Sequence, residues 1–174
     1  AFDLDPGPPA NAVDCCRIAL RLRELFADLG LECFAKTSGS KGVQVYVPLN
    51  AKVAYEQTTP FAHAIALLLE KRHPDEVVSK MTKSLRKGKV LVDWSQNTRH
   101  KTTVAVYSLR AKDRPTVSTP LRWSEVERTL KKEDPGVITF EAADVLRRVE
   151  RDGDLFEPVL KLRQRLPAGD PSAL

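Results

Sequence analysis

The sequence predicts an α+β fold: a mixed β-sheet with flanking helices and a helical C-terminal tail. Strand-like runs alternate with helical patterns from residue 1 to residue 94, whereas helical patterns alone follow residue 123. The chain has 174 residues, of which 42% are hydrophobic, enough for one domain with a buried core. We therefore expect one domain over residues 1–166 and a tail or linker over residues 167–174.

The first strand and the first helix are bounded by clear signals. Residues 1–5 read as a strand, and the run of prolines and glycine at 6–9 ends it. Apolar residues recur at helical spacing over 12–29, with Asn11 as a candidate N-cap and Gly30 after the last turn.

Two further strands and a second helix follow. Residues 32–36 and 43–47 are predicted strands that enclose a loop of small residues, 37–42, and could pair as a hairpin. Valines alternate with polar residues in the second of these strands, which ends at Pro48. An apolar helix is predicted over residues 59–73.

Later elements are shorter, and the tail is helical. Residues 77–81 and 90–94 are β-prone and joined by a basic turn. Residues 104–109 are ambiguous between strand and helix, and residues 116–123 look extended between two prolines. The predicted helices of the tail cover residues 124–132, 141–151 and 155–166.

Composition and charge favour a polyanionic partner and argue against a membrane protein. The net charge is +5, the pI is near 9.2, and basic residues crowd the stretch from Lys71 to Arg114 around Asp93, although a solvated basic face is the alternative. Apolar runs are too short to span a membrane, and the opening lacks the features of a signal peptide. The three cysteines have neither disulfide nor zinc spacing, which predicts a reducing cytoplasm.

Three acidic residues suggest a metal site. Asp3 and Asp5 share one face of the first strand because side chains alternate along a strand. Asp93 ends an apolar run and could complete a carboxylate cage for one or two divalent cations from a neighbouring strand. Ordinary surface acids remain the alternative, since Asp-x-Asp is a common pattern.

The loop 38–42 is a candidate phosphate-binding loop. Glycines let backbone N–H groups turn toward an anion, while Ser38, Ser40 and Lys41 offer hydroxyl donors and positive charge. A strand follows this loop, so it is not a Walker A motif, and a flexible hairpin loop is the other interpretation.

Four motifs occur in an order that closely resembles a known family. They cover residues 2–7, 37–42, 92–97 and 107–111. In this order they resemble the polymerase domain of bacterial ligase D, the non-homologous end-joining repair protein, which belongs to the archaeo-eukaryotic primase superfamily. The resemblance runs from residue 1 to about residue 166 and implies a primase-polymerase-like core. Because the chain begins inside a strand, we expect that the upstream part of the family domain is absent.

The resemblance implies a role for each matching residue. The metal ligands and catalytic residues would be Asp3, Asp5 and Asp93. The nucleotide-binding residues would be Ser38, Ser40, Lys41, Gln44, Arg86, Gln96 and Arg110. The nucleic-acid-binding residues would be Lys83, Lys87 and Asn97. Gln44 departs from the family's usual histidine and cannot carry its charge.

The implied activity is template-directed nucleotidyl transfer at DNA ends with two Mn²⁺ or Mg²⁺ ions. The implied partners are DNA ends or a primer-template and nucleoside triphosphates, with Ku and an attached ligase domain as further candidates, in the bacterial cytoplasm near the nucleoid. Two rival functions stay open: a binding module derived from such a polymerase but without chemistry, and a metal-dependent phosphodiesterase that uses the same carboxylates.

Overall fold

A computed structural model describes residues 1–167. Of the predicted tail, residues 168–174 lie outside the described part. The predicted α+β class with a mixed sheet is confirmed. Within residues 1–167 the strands are β1 (Phe2–Pro6), β2 (Phe34–Thr37), β3 (Val43–Tyr46), β4 (Val77–Val78), β5 (Val90–Asp93) and β6 (Pro120–Leu121). The helices are α1 (Ala12–Asp28), α2 (Tyr55–Arg72), α3 (Trp123–Lys132), α4 (Ala142–Asp152) and α5 (Glu157–Lys161).

The six strands form one sheet in the order β4-β5-β1-β3-β2-β6. All neighbours are antiparallel except β4 and β5, which run parallel. The first strand is therefore central, between β5 and β3, although these strands are far apart in the sequence. This order decides which side chains meet on each face of the sheet.

The apolar face of the sheet packs against α1 and α2. Phe2 and Leu4 are buried on β1, and the Phe2 ring lies 5.4 Å from that of Phe26 on α1. The α1 side chains that point inward, such as Leu22, are fully buried. Because side chains alternate along a strand, the residues between these core positions on β1 lie on the opposite, polar face of the sheet.

The second helix begins one turn earlier than predicted. It starts at Tyr55, because the N–H groups of Gln57 and Thr58 already bond to the carbonyl of Ala54. Pro60 therefore lies inside the helix near its first turn. Proline is favoured at a first helical position, and the predicted start depended on that preference.

Two predicted elements are shorter than the pattern suggested. The predicted helix 155–166 survives only as α5, because Gln164 turns back to the main body of the fold. Its N–H donates to the Leu49 carbonyl, and its side chain binds the carbonyls of Glu32 and Pro48. The predicted strand 116–123 contributes β6 alone.

In the described part of the chain, no helix combines the length and apolarity needed to cross a bilayer.

Candidate active site

The polar face of the sheet carries a continuous row of four side chains. The strand registers place Lys36 opposite Gln44, Gln44 opposite Asp3, and Asp3 opposite Asp93. Directly opposed residues in antiparallel strands have Cβ atoms about 4.5–5.5 Å apart. A fifth polar side chain, that of Asp5, lies beside this row, two residues beyond Asp3 on the same face of β1.

Asp93 is buried and held by four donors. Its Oδ1 accepts from the Ser95 N–H at 2.9 Å and from the Ser95 hydroxyl at 2.6 Å. Its Oδ2 accepts from Gln96 Nε2 at 3.0 Å and from Lys101 Nζ at 3.4 Å. The short 3₁₀ turn that begins directly after β5 supplies the serine and the glutamine, so the sequence after the strand fixes the orientation of this carboxylate.

Burial and nearby negative charges disfavour the ionised form of Asp3, which lies opposite Asp93. Burial raises the pKa of Asp3 above its ordinary value of 3.8, and a hydrogen bond from Gln44 opposes this shift. The charges of Asp93 and Asp5 raise the pKa further. A group of acids that repel one another on a half-buried surface is the donor set that suits a hard divalent cation.

The third carboxylate, that of Asp5, is exposed. Asp5 Oδ2 is 3.4 Å from Nη1 of Arg86, and Nη2 of the same guanidinium donates to the Met81 carbonyl at 2.6 Å. In this arrangement, no three acidic, histidine or cysteine side chains among residues 1–167 are grouped to hold one ion. The donor chemistry fits a metal ion. To bind one, Asp5 would have to release Arg86, and Asp93 would have to release Lys101.

The small-residue loop between β2 and β3 is a compact turn whose N–H groups converge. The Ser38 hydroxyl accepts from the N–H groups of Ser40 and Gly42, both at 3.2 Å. A side chain at Gly42 is impossible without movement, because its Cβ would lie 2.1 Å from the Leu4 carbonyl oxygen. Gly39 has a φ of +66°, which glycine adopts readily. The glycines thus bring the loop against β1, next to the carboxylates.

A cavity of about 340 Å³ joins this loop to the carboxylate row. The predicted residues that line it are Asp3, Asp5, Ser38, Ser40, Lys41, Gln44 and Arg110. Its third side is a segment that we call the pocket wall, Thr102, Thr103 and Val104. Positive side chains therefore share one cavity with carboxylates, as a metal-triphosphate complex requires.

The other predicted residues do not line this cavity. Gln96 supports Asp93, while its Oε1 is buried without a hydrogen-bond partner in the described part of the chain. Lys83 and Lys87 are exposed on the basic turn before β5. Asn97 binds the amino end of the chain: it accepts from the amino group of Ala1 and donates to the Ala1 carbonyl, both at 2.8 Å.

Lys36, Tyr46 and the pocket wall were not among the residues predicted for the site. Lys36 is 1% exposed at the end of the polar row, and its Nζ lies 5.7 Å from the ring centroid of Tyr46. Position 36 shares its face with Gln44 only because of the register between β2 and β3. The one signal in the sequence was a lysine at an inward position of a short strand directly before the loop.

Comparisons with known proteins agree with the motifs. The family model described as the LigD primase-polymerase domain matches residues 1–156. The chain is 46% identical over 156 residues to the multifunctional non-homologous end joining DNA repair protein LigD of Mycobacterium tuberculosis strain H37Rv, covering 90% of this chain and 20% of that protein. It is 30% identical over 156 residues to the bifunctional non-homologous end joining protein LigD of Bacillus subtilis strain 168, covering 89% and 25%.

The structure has a close solved counterpart. The polymerase domain from Mycobacterium tuberculosis ligase D, solved in complex with DNA, matches with a TM-score of 0.82 and 46% identity. The match covers 91% of this chain and 53% of that chain. This chain spans about a fifth to a quarter of the length of the two curated relatives. The family predicted from the four ordered motifs is confirmed, and the chain belongs to the LigD primase-polymerase domain family.

Proposed function

We propose that this chain forms the catalytic core of a template-directed nucleotidyltransferase that adds nucleotides at DNA ends during non-homologous end joining. One observation supports this most strongly: the register of the sheet sets Asp3 directly opposite Asp93, and Asp3 and Asp5 line a cavity whose other sides include Lys41 and Arg110. Acidic metal ligands and cationic phosphate ligands in one cavity are what phosphoryl transfer needs.

Asp3, Asp5 and Asp93 are the residues that would hold two divalent ions, Mn²⁺ or Mg²⁺. Bound there, such ions would neutralise the charge of the triphosphate and activate the primer hydroxyl. The protein's own contribution is to fix the donors. Ser95 and Gln96 orient the Asp93 carboxylate, and Gln44 orients that of Asp3. Departure of Arg86 from Asp5 would free the third carboxylate.

The loop and Arg110 would bind the triphosphate. The side chain of Arg110 lies against Gly39, since a Cβ built on that glycine would come within 2.8 Å of its Cγ. Lys41 is exposed at the same cavity, and the hydroxyls of Ser38 and Ser40 line it. These cations would stabilise the charge that develops as the α-phosphate is attacked by the primer 3′-hydroxyl and pyrophosphate leaves.

DNA and the repair apparatus are the proposed partners. The structural relative was solved in complex with DNA. The exposed Lys83 and Lys87 lie on the basic turn beside Arg86, where they could contact DNA phosphates. We extend the proposal to Ku and a ligase domain as partners in the bacterial cytoplasm at the nucleoid, following the end-joining role that the names of the relatives state.

Primer extension tests the proposal. Asp93→Asn keeps the shape and the Oδ1 acceptor but removes a charge, so extension with Mn²⁺ should fall by about a hundredfold or more, as for other groups that stabilise developing charge. Asp113→Asn, at an exposed position outside the cavity, is the matched control and should extend normally. Equal extension by both variants would contradict the role of Asp93.

A binding module without chemistry is the second candidate, because Arg86 and Lys101 already neutralise Asp5 and Asp93 and because Gln44 is uncharged. Nucleotide binding without release of pyrophosphate, in the full natural chain, would favour this function. Degradation of labelled DNA without added nucleotide would instead indicate a phosphodiesterase.

A further inference from the structure

Lys36 is a buried lysine that the proposed chemistry does not yet use. Its residue is 1% exposed, and its ammonium forms no salt bridge with a carboxylate of residues 1–167. Burial lowers the pKa of Lys36 to about 8, with Asp3 opposing and Arg110 adding to the shift. An apolar side chain of similar size would be less costly to bury, so the ammonium needs a reason in what it contacts.

Its two hydrogen bonds point toward the nucleotide cavity. Lys36 Nζ donates to the Val104 carbonyl at 3.0 Å and to the Ser118 hydroxyl at 2.7 Å. The Ser118 hydroxyl in turn donates to the Thr37 carbonyl at 2.8 Å, at the end of β2 just before the phosphate loop. Lys36 therefore connects the pocket wall to the strand from which that loop departs.

Tyr46 holds the same wall from the next strand. Its hydroxyl donates to Gln44 Oε1 at 3.1 Å, and it shares a side-chain hydrogen bond with Thr103. Residues 101–105 belong to no helix or strand. Because no ladder of backbone hydrogen bonds fixes this segment, its distance from the sheet depends on contacts such as those of Lys36 and Tyr46.

We propose that Lys36 and Tyr46 are positioning residues that anchor the pocket wall, Thr102 to Val104, against the sheet and so preform the triphosphate site. Neither residue is assigned contact with the reacting atoms. Their effect is to hold the pocket wall in place before the nucleotide binds. Nucleotide binding then costs less conformational entropy, because the wall is already ordered. The inference rests on the proposed function, because it names residues that support the same site.

The test compares Lys36→Met and Tyr46→Phe in the full natural chain. Met keeps the apolar length of the side chain and loses the ammonium, while Phe loses only the hydroxyl. We expect the Kd for a non-hydrolysable nucleoside triphosphate, titrated with Mn²⁺ and a primer-template, to rise about tenfold for Lys36→Met and about threefold for Tyr46→Phe. The affinity for the primer-template alone should stay unchanged.

A structural control separates positioning from loss of stability. Val126 is fully buried on α3 and does not line the cavity, so Val126→Ala should lower the melting temperature and leave the nucleotide Kd unchanged. Ser118→Ala removes one acceptor of Lys36. If Lys36 acts through Ser118, the two substitutions should not act independently. The rise in nucleotide Kd for the double variant should then be smaller than the product of the rises for the two single variants.

The outcomes distinguish this inference from the proposed function. If the wild type binds the triphosphate and Lys36→Met binds it equally well, the anchoring role is wrong and the proposed function stands. The anchoring role is also wrong if Val126→Ala weakens nucleotide binding as much as Lys36→Met does. If the wild type itself binds no triphosphate with Mn²⁺ and DNA, the proposed function fails and the inference fails with it.

Discussion

Replacing Asp3 by asparagine should stabilise the metal-free protein. Asp3 and Asp93 are directly opposed, and like charges in such cross-strand pairs cost up to roughly 1 kcal/mol. At a separation of about 5.5 Å, Coulomb's law gives roughly 0.8 kcal/mol with the dielectric constant of water and roughly 3 kcal/mol at an effective value of 20. Since the pair is partly solvated and Gln44 already donates to Asp3, we expect Asp3→Asn to raise the free energy of unfolding by about 1 kcal/mol.

The pH dependence gives the sign of this effect. The pKa of Asp3 is raised in the folded protein, so its ionisation favours the unfolded state. Through this group, the wild type should therefore lose stability progressively as the pH rises from 3.8 through the folded pKa. In EDTA at pH 7, Asp3→Asn should melt about 2–4 °C higher than the wild type, and this difference should vanish below the ordinary pKa of the acid.

With added Mn²⁺, the wild type should melt at a higher temperature than Asp3→Asn. At a hundred times its Kd, a bound ion stabilises the wild type by about 2.7 kcal/mol, or roughly 5–10 °C, and Asp3→Asn should lose most of this gain. Melting curves followed by circular dichroism with EDTA and with Mn²⁺ measure both effects, with Asp113→Asn as the control. An apo variant that melts below the wild type, or an equal response of both to Mn²⁺, would refute the reasoning.

Three further substitutions test the fold. Gly42→Ala should cost about 2 kcal/mol or more in urea unfolding and also impair primer extension, because its Cβ would clash with the Leu4 carbonyl. Gly30→Ala, where a Cβ meets nothing within 4 Å, should cost only about 1 kcal/mol through its φ of +69° and should retain activity. Arg148→Met should cost roughly 3–5 kcal/mol, because it leaves the buried carboxylate of Glu125 without its partner. Burial disfavours the Glu125 carboxylate, but hydrogen bonds from Arg148 lower the pKa of Glu125 overall. The wild type should therefore lose this stability as the pH falls below 4.5. The stability of Arg148→Met should change little over the same pH range, because the stabilising pair is absent.

The shared face of the carboxylates was predictable from the sequence, but their pairing was not. Leu4 and Val92 are apolar and must face the core, so the residues beside them, Asp3 and Asp93, must face the other way. Whether β5 lies next to β1 depends on how α2 crosses the sheet, and local periodicity contains no information about that. The register therefore had to come from the tertiary structure.

The pocket wall and its anchors were harder to foresee, for a physical reason. Lys36 lies in a strand where an exposed lysine would be ordinary, and its burial arises from residues far along the chain, Val104 and Ser118, which fold over the end of the sheet. The segment 101–105 has no periodic pattern, because its position is set by side-chain contacts to the sheet. A residue whose role is to hold a non-periodic segment leaves a weak signal in its own neighbourhood. The carboxylates were visible because three acids on apolar strands are costly unless they bind something, and Lys36 becomes visible by the same reasoning once its burial is known.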